Sequence, residues 1–319
     1  MRRGAIAIAA FLAALACAPR ALAQDFPAKA IRMIMPFAPG GGLEAQARVV
    51  TIKLAETWGQ PVVIDSRPGA NGVVGTQMVA AAAPDGYTLL FTNSSLATVA
   101  ILSGKTSFDP VRDLAAVIQI GVQPQILVAH PSMPATLRDV LALARERPGK
   151  LNFASAGSTS QLTMELLKSL ARVDLLHVPY KGSAPAVTAI LGGEVQFAIF
   201  SANVILPHVK AGKLRALGVT SAKRAASLPD VPAIAEAGVP GYETIQWSGV
   251  LAPVRTPRGV VVKINADIGR LLKLDEVVQR LGNLGVDPAG GSPDQFASYL
   301  RAETTKWSRL IKDTGLRVE

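Results

Sequence analysis

The 319-residue chain is poor in the residues on which many chemistries depend: it has one cysteine, three histidines and only 5% aromatic residues. The cysteine, Cys17, falls within the first 23 residues, and residues 24–319 contain none. Disulfides, thiolate metal sites and a cysteine nucleophile are therefore excluded from that part of the chain. His130, His177 and His208 lie far apart in different motifs. A metal cluster or a catalytic dyad would need two of them to converge, so they are read as structural, with no metal and no catalytic residue expected. Ser158 lacks the G-x-S-x-G elbow of a serine nucleophile and is read instead as a capping or ligand hydrogen-bonding residue. Beyond the leader, residues 187–209 form the only long apolar segment, and Gly192, Gly193 and Glu194 interrupt it, so no membrane span is expected there. The formal net charge is +10, yet the basic residues are scattered, without an aromatic-interleaved stripe. Nucleic acid is therefore not an expected partner, whereas weak steering of small anions is. No internal repeat and no low-complexity linker occur.

Residues 1–23 read as a signal peptide. Arg2 and Arg3 precede an apolar stretch at 5–16, and Ala21-Leu22-Ala23 forms a small-x-small cleavage site, so the mature chain is expected to begin near Gln24. A lipoprotein site is the alternative, with Ala14-Leu15-Ala16 before Cys17, although leucine normally stands where Ala14 does.

The rest of the chain is organised around the pattern set by residues 31–48. Ile31–Met35 is a nearly continuous apolar run, suited to a strand buried on both faces. Pro36 and Pro39 end it, and Gly40, Gly41 and Gly42 follow. Apolar residues then recur with helical spacing as far as Gly59. Strand, glycine loop and helix N-terminus can together hold an anion, because the first-turn N–H groups and the macrodipole point into the loop. An ordinary βα turn has the same signature, and both readings stand here.

Further along, 61–65 and 87–92 read as strands, the second ending in a capping Asn93-Ser94-Ser95. The glycines between Arg67 and Gly75 lack dinucleotide-fingerprint spacing and read as a turn. Strands follow at 114–121, 125–130 and 151–155. The last runs into Ala156-Gly157-Ser158-Thr159-Ser160 and a helix ending near Ala171, repeating strand, small-residue loop and helix. A strand at 175–179 leads through Tyr180-Lys181-Gly182-Ser183 to another helix. Strands at 195–200 and 214–220 and an extended segment at 244–253 come next. Ser292 caps a final amphipathic helix with Pro293 at its first position and Phe296, Tyr299, Leu300 and Trp307 in the core. Alternating strands and helices imply an α/β fold of mostly parallel sheets. Two separated groups of loops imply two lobes facing one cleft, with the ligand at the strand C-termini.

At this level of detail the chain resembles the Bug-type solute receptors of tripartite tricarboxylate transporters. The resemblance is carried by PFAPGGGLEAQAR at 36–48, Arg67-Pro68-Gly69-Ala70, Ala83-Pro84-Asp85-Gly86-Tyr87-Thr88-Leu89-Leu90, HVPYKGSAPAVTAILGG at 177–193, LPHVKAGKLRALGVTSAKR at 206–224, LPDVPAIAEAGVPGYE at 228–243 and WSGVLAP at 247–253. It implies a periplasmic, type II-like binding protein that closes over a small carboxylate for uptake through membrane permease subunits, as a monomer and without a cofactor; a ligand sensor for a membrane signalling partner is the alternative, with a periplasmic Ser/His hydrolase behind it. The boundaries expected are 24–122 plus 249–319 for one lobe and 123–248 for the other, with crossings at 123–125 and near 247–249. The ligand loops implied are Phe37, Pro39, Gly40, Gly41 and Gly42 in one lobe and Ala156, Gly157, Ser158 and Thr159 in the other, with Tyr180 and Lys181 alongside. Lys181 would pair with the carboxylate or stand in solvent.

Four positions depart from the family's usual pattern, all near the expected cleft. Glu44 stands where aspartate is usual, Ser155–Ser158 reads as a shortened loop, Gln161 replaces a histidine, and Ser201 replaces an aspartate. Glu44 and Ser201 join the candidate ligand contacts. N-terminal sequencing of periplasmic material should start at or close to Gln24, and recovery of lipidated Cys17 in the membrane fraction would refute that assignment.

Overall fold

The computed structural model describes residues 26–102, 106–225 and 228–315, excluding the side chains of Ala100, Leu102 and Ser158; the leader, its cleavage site and Cys17 lie outside the described residues. In chain order the elements begin with β1 (Ile31–Met35), α1 (Gly42–Trp58), β2 (Val62–Ser66), α2 (Val73–Ala80), β3 (Thr88–Asn93), α3 (Leu96–Leu102) and β4 (Leu114–Gln123). There follow β5 (Gln125–Ala129), α4 (Leu137–Glu146), β6 (Asn152–Ser155), α5 (Ser158–Ala171), β7 (Leu176–Pro179), α6 (Ser183–Leu191), β8 (Phe197–Ser201), α7 (Ala202–Lys210) and β9 (Arg215–Val219). The chain ends with β10 (Gln246–Pro253), α8 (Arg258–Leu271), α9 (Asp275–Asn283), β11 (Asp287–Gly290) and α10 (Pro293–Thr314).

The strands form two sheets, ordered β11-β4-β10-β3-β1-β2 and β7-β6-β8-β5-β9. β1 is central, pairing in parallel with β2 on one side and β3 on the other, which is why its apolar residues run almost unbroken. β6 likewise pairs in parallel with β7 and β8. The sheets are mixed, however, because β10 runs antiparallel to β3 and β4, β11 to β4, and β5 to β8 and β9. Parallel neighbours need a helical crossover between them, whereas β5 and β10 enter from the other sheet and are free of that constraint.

Local signals set the helix ends. Gly59 closes α1 in the left-handed conformation at φ 61°. At the start of α10, the Ser292 hydroxyl accepts from the Gln295 N–H while the Gln295 side chain accepts from the Ser292 N–H, with Pro293 in the first turn.

Three apolar cores result. One lies between the first sheet and α1, α8 and α9, and another between the second sheet and α6 and α7. The third spans both sheets: Ile34, Leu90 and Leu251 of the first and Phe153, Phe197 and Leu217 of the second share it with Phe296, Leu300 and Trp307 of α10. Trp247, 2% exposed, packs edge-on against Phe296 with ring centroids 5.3 Å apart. That contact needs Gly249, where a Cβ would stand 2.5 Å from Phe296 Cζ and 3.1 Å from the Ile118 carbonyl oxygen. Gly249→Ala should therefore cost about 1–3 kcal/mol by overpacking. Gly269→Ala, within α8 where the added Cβ meets only Ile118 Cδ1 at 3.8 Å, should gain roughly 0.5–1 kcal/mol. Urea midpoints of the two variants against wild type check both signs.

Candidate functional site

A cleft of about 330 Å³ opens at the carboxyl ends of β1, β3, β6 and β8. The first sheet and its loops contribute Phe37, Asn71, Asn93, Ser94 and Ser95. The second contributes Ala156, Gly157, Thr159, Ser160, Ser183, Ile199, Phe200, Ser201 and Val204. Gln125 and Gln246, the first residues of β5 and β10, line it where the chain passes between the sheets. Apolar surface from Phe37, Ile199, Phe200 and Val204 is thus combined with hydroxyl and amide groups.

Helix geometry gives this cleft its electrostatic sign. α5, α6 and α7 all begin at it, and their N-cap residues Gly157, Gly182 and Ser201 make no side-chain capping hydrogen bond. First-turn N–H groups left without a side-chain partner need another acceptor, and three helix dipoles add partial positive charge at the same place. Gly157 at φ 146° and Gly182 at φ 101° hold backbone conformations that side chains disfavour. Ser160 closes the β6–α5 loop on itself: its hydroxyl accepts from the Ala156 N–H at 2.8 Å and donates to the Gly157 carbonyl at 2.9 Å. Opposite, the Asn93 side-chain oxygen accepts from the Ser95 N–H at 3.1 Å and hydroxyl at 2.7 Å, fixing the turn after β3.

This pairing of a two-sheet frame with helix N-termini at one interior cleft coincides with a family match: residues 46–316 match the tripartite tricarboxylate transporter family receptor. The chain belongs to this family. Protein BugT of Bordetella pertussis is 36% identical over 324 residues, covering 100% of this chain and 99% of BugT. A protein of R. palustris solved with adipate is similar at 35% identity and TM-score 0.74, over 92% of this chain and 99% of that one. The periplasmic binding protein BugD is similar at 29% identity and TM-score 0.72, over 92% of this chain and 99% of that one.

Of the residues singled out from sequence, the receptor's cleft brings together Phe37, Ala156, Gly157, Thr159 and Ser201. Ser158 begins α5, and its side chain is outside the description. Pro39, Gly40, Gly41 and Gly42 are exposed and lie outside the cleft wall, as do Tyr180 and the exposed Lys181, next to Gly182 and Ser183. The Tyr180 N–H is taken by the Ser155 carbonyl at 2.9 Å. Asn71, Asn93, Ser94, Ser95, Gln125, Ser160, Ser183 and Gln246 are lining residues that the sequence reading did not select as ligand contacts. A signal existed for the serines after Asn93, since they form another strand-to-helix junction, and for the glutamines, since they flank the expected crossings.

The histidines stay apart from the cleft lining. His130 Nδ1 bonds to Ser132 Oγ at 2.8 Å. His177 Nε2 meets Ser155 Oγ at 2.7 Å, a serine–histidine contact not anticipated from sequence, but Ser155 is 2% exposed and is not part of the cleft wall. His177 stacks on Phe153, and burial holds its pKa below the ordinary value, with the positive charge of Lys168 acting in the same direction against Glu165.

Glu44 is turned into its own loop. Its carboxylate accepts the Gly40 N–H at 2.6 Å and the Arg48 Nε–H at 2.9 Å, with a further contact to the Arg48 Nη2. The Gly40 N–H and then the Arg48 guanidinium hold its carboxyl below the ordinary glutamate pKa. The N-terminus of α1 is thereby supplied with an anion from the chain itself. A depressed native pKa adds stability above the unfolded value, about 4.3, that disappears as pH falls through the native value. Glu44→Gln should therefore unfold at lower urea than wild type at pH 7, with the difference closing by pH 3.

Proposed function

We propose that this receptor captures a small carboxylate-type organic solute in the periplasm and delivers it to the membrane permease subunits of a tripartite tricarboxylate transporter. The observation that carries the reading is the convergence of three uncapped helix N-termini, those of α5, α6 and α7, on a cleft otherwise lined by neutral hydrogen-bonding and apolar groups. That is an anion-binding surface with room for a small organic body. Family membership and the adipate-bound relative support a carboxylate as the anion. No helix among the described residues is long and apolar enough to cross a membrane, and the N-terminal leader supports export with cleavage near Ala23.

Binding, without turnover, is the activity assigned. It is supported by the separation of His130, His177 and His208 and by the engagement of Ser155 with His177 away from the cleft lining. The lobes are assigned as 24–122 with 249–319 and as 123–248; the division of strands between the sheets supports this to within a few residues, with Gln123 and Gln246–Ser248 paired in the first sheet. Closure about the segments at 123–125 and 244–246 would bring the bordering residues Gly40, Gly41, Gly42 and Lys181 to the solute, which selects the closed form by its differential affinity. A monomer suffices for this mechanism.

A thermal-shift screen of carboxylates against ligand-free protein tests the reading: at least one should raise Tm in a concentration-dependent way. Gly41→Val then tests the role of the glycine loop. Gly41 sits at φ −86°, and a Cβ there meets nothing within 4 Å, so the variant should fold like wild type. Calorimetry should show its affinity reduced by more than about tenfold, or 1.4 kcal/mol. Wild-type affinity would place the solute away from this loop.

A further inference from the structure

One serine–histidine pair stands beside the cleft without being part of its wall. Ser155, the last residue of β6 and 2% exposed, has its hydroxyl oxygen 2.7 Å from His177 Nε2 on the neighbouring β7. His177 lies opposite Phe153 in the parallel register and stacks on its ring, with centroids 5.0 Å apart. Phe153 and Ser155 alternate with Ala154 and so share one face of the sheet, where Phe153 packs with Leu162, Leu166 and Leu167 of α5. The half-buried imidazole is thus fixed between β6 and α5, and it fixes Ser155 in turn. What Ser155 holds is the start of the cleft wall. Its peptide leads directly into Ala156 and Gly157, which line the cleft. Its carbonyl accepts the Tyr180 N–H at 2.9 Å, at the entry to the Gly182-Ser183 junction. Beyond Ser155 the β6–α5 loop closes on itself, with Ser160 bonded to the Ala156 N–H and the Gly157 carbonyl. Ser155 is therefore the joint between that loop, the β7–α6 junction and the sheet.

We propose that His177 is a positioning residue for the cleft wall: as the neutral imidazole it accepts the Ser155 O–H, and its protonation releases the β6–α5 loop. This holds whatever solute the cleft takes. The neutral ring has one acceptor nitrogen; in the proposed pair that is Nε2, with the proton on Nδ1. The imidazolium has none, so the serine must turn its proton away and the buried hydroxyl loses its acceptor. Burial opposes the imidazolium first. Among the described residues, the charged groups acting on the ring are Glu165, which favours the imidazolium, and Lys168, which opposes it. Both belong to α5 and are paired with each other at 3.1 Å, while β6 has no charged residue. The native pKa therefore lies below the ordinary value of about 6.5. The unfolded chain takes up this proton first, so the stability contributed by the neutral pair is lost as pH falls from about 6.5 through the native value.

The test uses ligand-free protein and needs no solute. Nitrogen-15 NMR of the imidazoles reads tautomer and titration directly. His177 should carry its proton on Nδ1 at about pH 7.5 and titrate with a midpoint below about 6.5. A proton on Nε2 at that pH, a midpoint at or above about 6.5, or a ring still neutral at about pH 4 overturns the proposal. Hydrogen exchange then follows the wall. Protection of the Ala156 and Tyr180 amides, corrected for the intrinsic pH dependence of exchange, should fall at least about fivefold between one pH unit above the measured midpoint and one unit below it, as expected when a buried hydrogen bond is lost. His177→Gln, whose side-chain oxygen accepts a hydrogen bond without titrating, should keep wild-type protection at both pH values. His177→Leu, which retains bulk and removes the acceptor, should show the low protection at both. A ring needed only for its stacking on Phe153 would give the opposite pattern, with protection lost in the glutamine variant and no pH step in wild type. Wild-type protection that does not change through the titration overturns the proposal, as does a glutamine variant with the same pH step or with low protection throughout. Should His177→Leu fail to fold, the wild-type pH step and its absence in His177→Gln decide the matter.

Discussion

A single residue, Pro124, separates β4 of one sheet from β5 of the other, and the rest of the architecture depends on how that passage is held. The Gln125 N–H donates to the Thr220 hydroxyl, and the Gln125 carbonyl accepts from the Thr220 N–H, each at 2.9 Å. Thr220 in turn accepts from the Thr244 N–H, just before the chain returns into β10. Thr220 therefore ties the outgoing and returning segments together. Because the passages are so short, the strand ends of both sheets are forced to meet at one place, and the loops that follow those ends form the cleft. The glutamines at the two passages line the cleft as a direct result.

The cleft proposed to hold the solute has no cationic side chain in its wall. Lysine or arginine would add rotamer entropy losses and would need to be desolvated. Backbone N–H groups at helix starts are fixed by the fold before any solute arrives, so little ordering remains to be done on binding. The three glycine-bearing junctions use this device in opposite ways. At α5 and α6, Gly157 and Gly182 leave the helix ends without a side-chain acceptor. At α1, Glu44 folds back on Gly40 and satisfies the junction internally.

What could be read from sequence was the local part. The strand, glycine turn and helix over 31–58, the left-handed Gly59 and the Ser292–Pro293–Gln295 start of α10 each depend on neighbours a few residues away, and each appears in the structure. Family resemblance supplied the frame. The direction of β10 and β5 was not legible, because it is set by partners more than a hundred residues distant in the case of β10. Gln125 and Gln246 were marked only by their place beside the expected crossings and Asn93 only as part of a helix cap, since their role as lining residues arises when the sheets meet. The inward turn of Glu44 was also hidden. An acidic residue in a first helical turn is equally compatible with capping its own helix and with facing a solute.

The order of strands in the first sheet has a further consequence for biogenesis. β4 lies between β10 and β11, both of which come from beyond residue 245, whereas all five strands of the second sheet fall between residues 125 and 219. If the chain emerges from a translocation channel N-terminus first, the second sheet has its full complement while β4 still lacks both neighbours and β3 lacks one. The nascent receptor thus carries an open, apolar strand edge from the moment β4 appears until its last fifth has been delivered. Such an edge is a template for pairing with other chains. Safe maturation of this protein is therefore a question of how quickly its C-terminal segment follows.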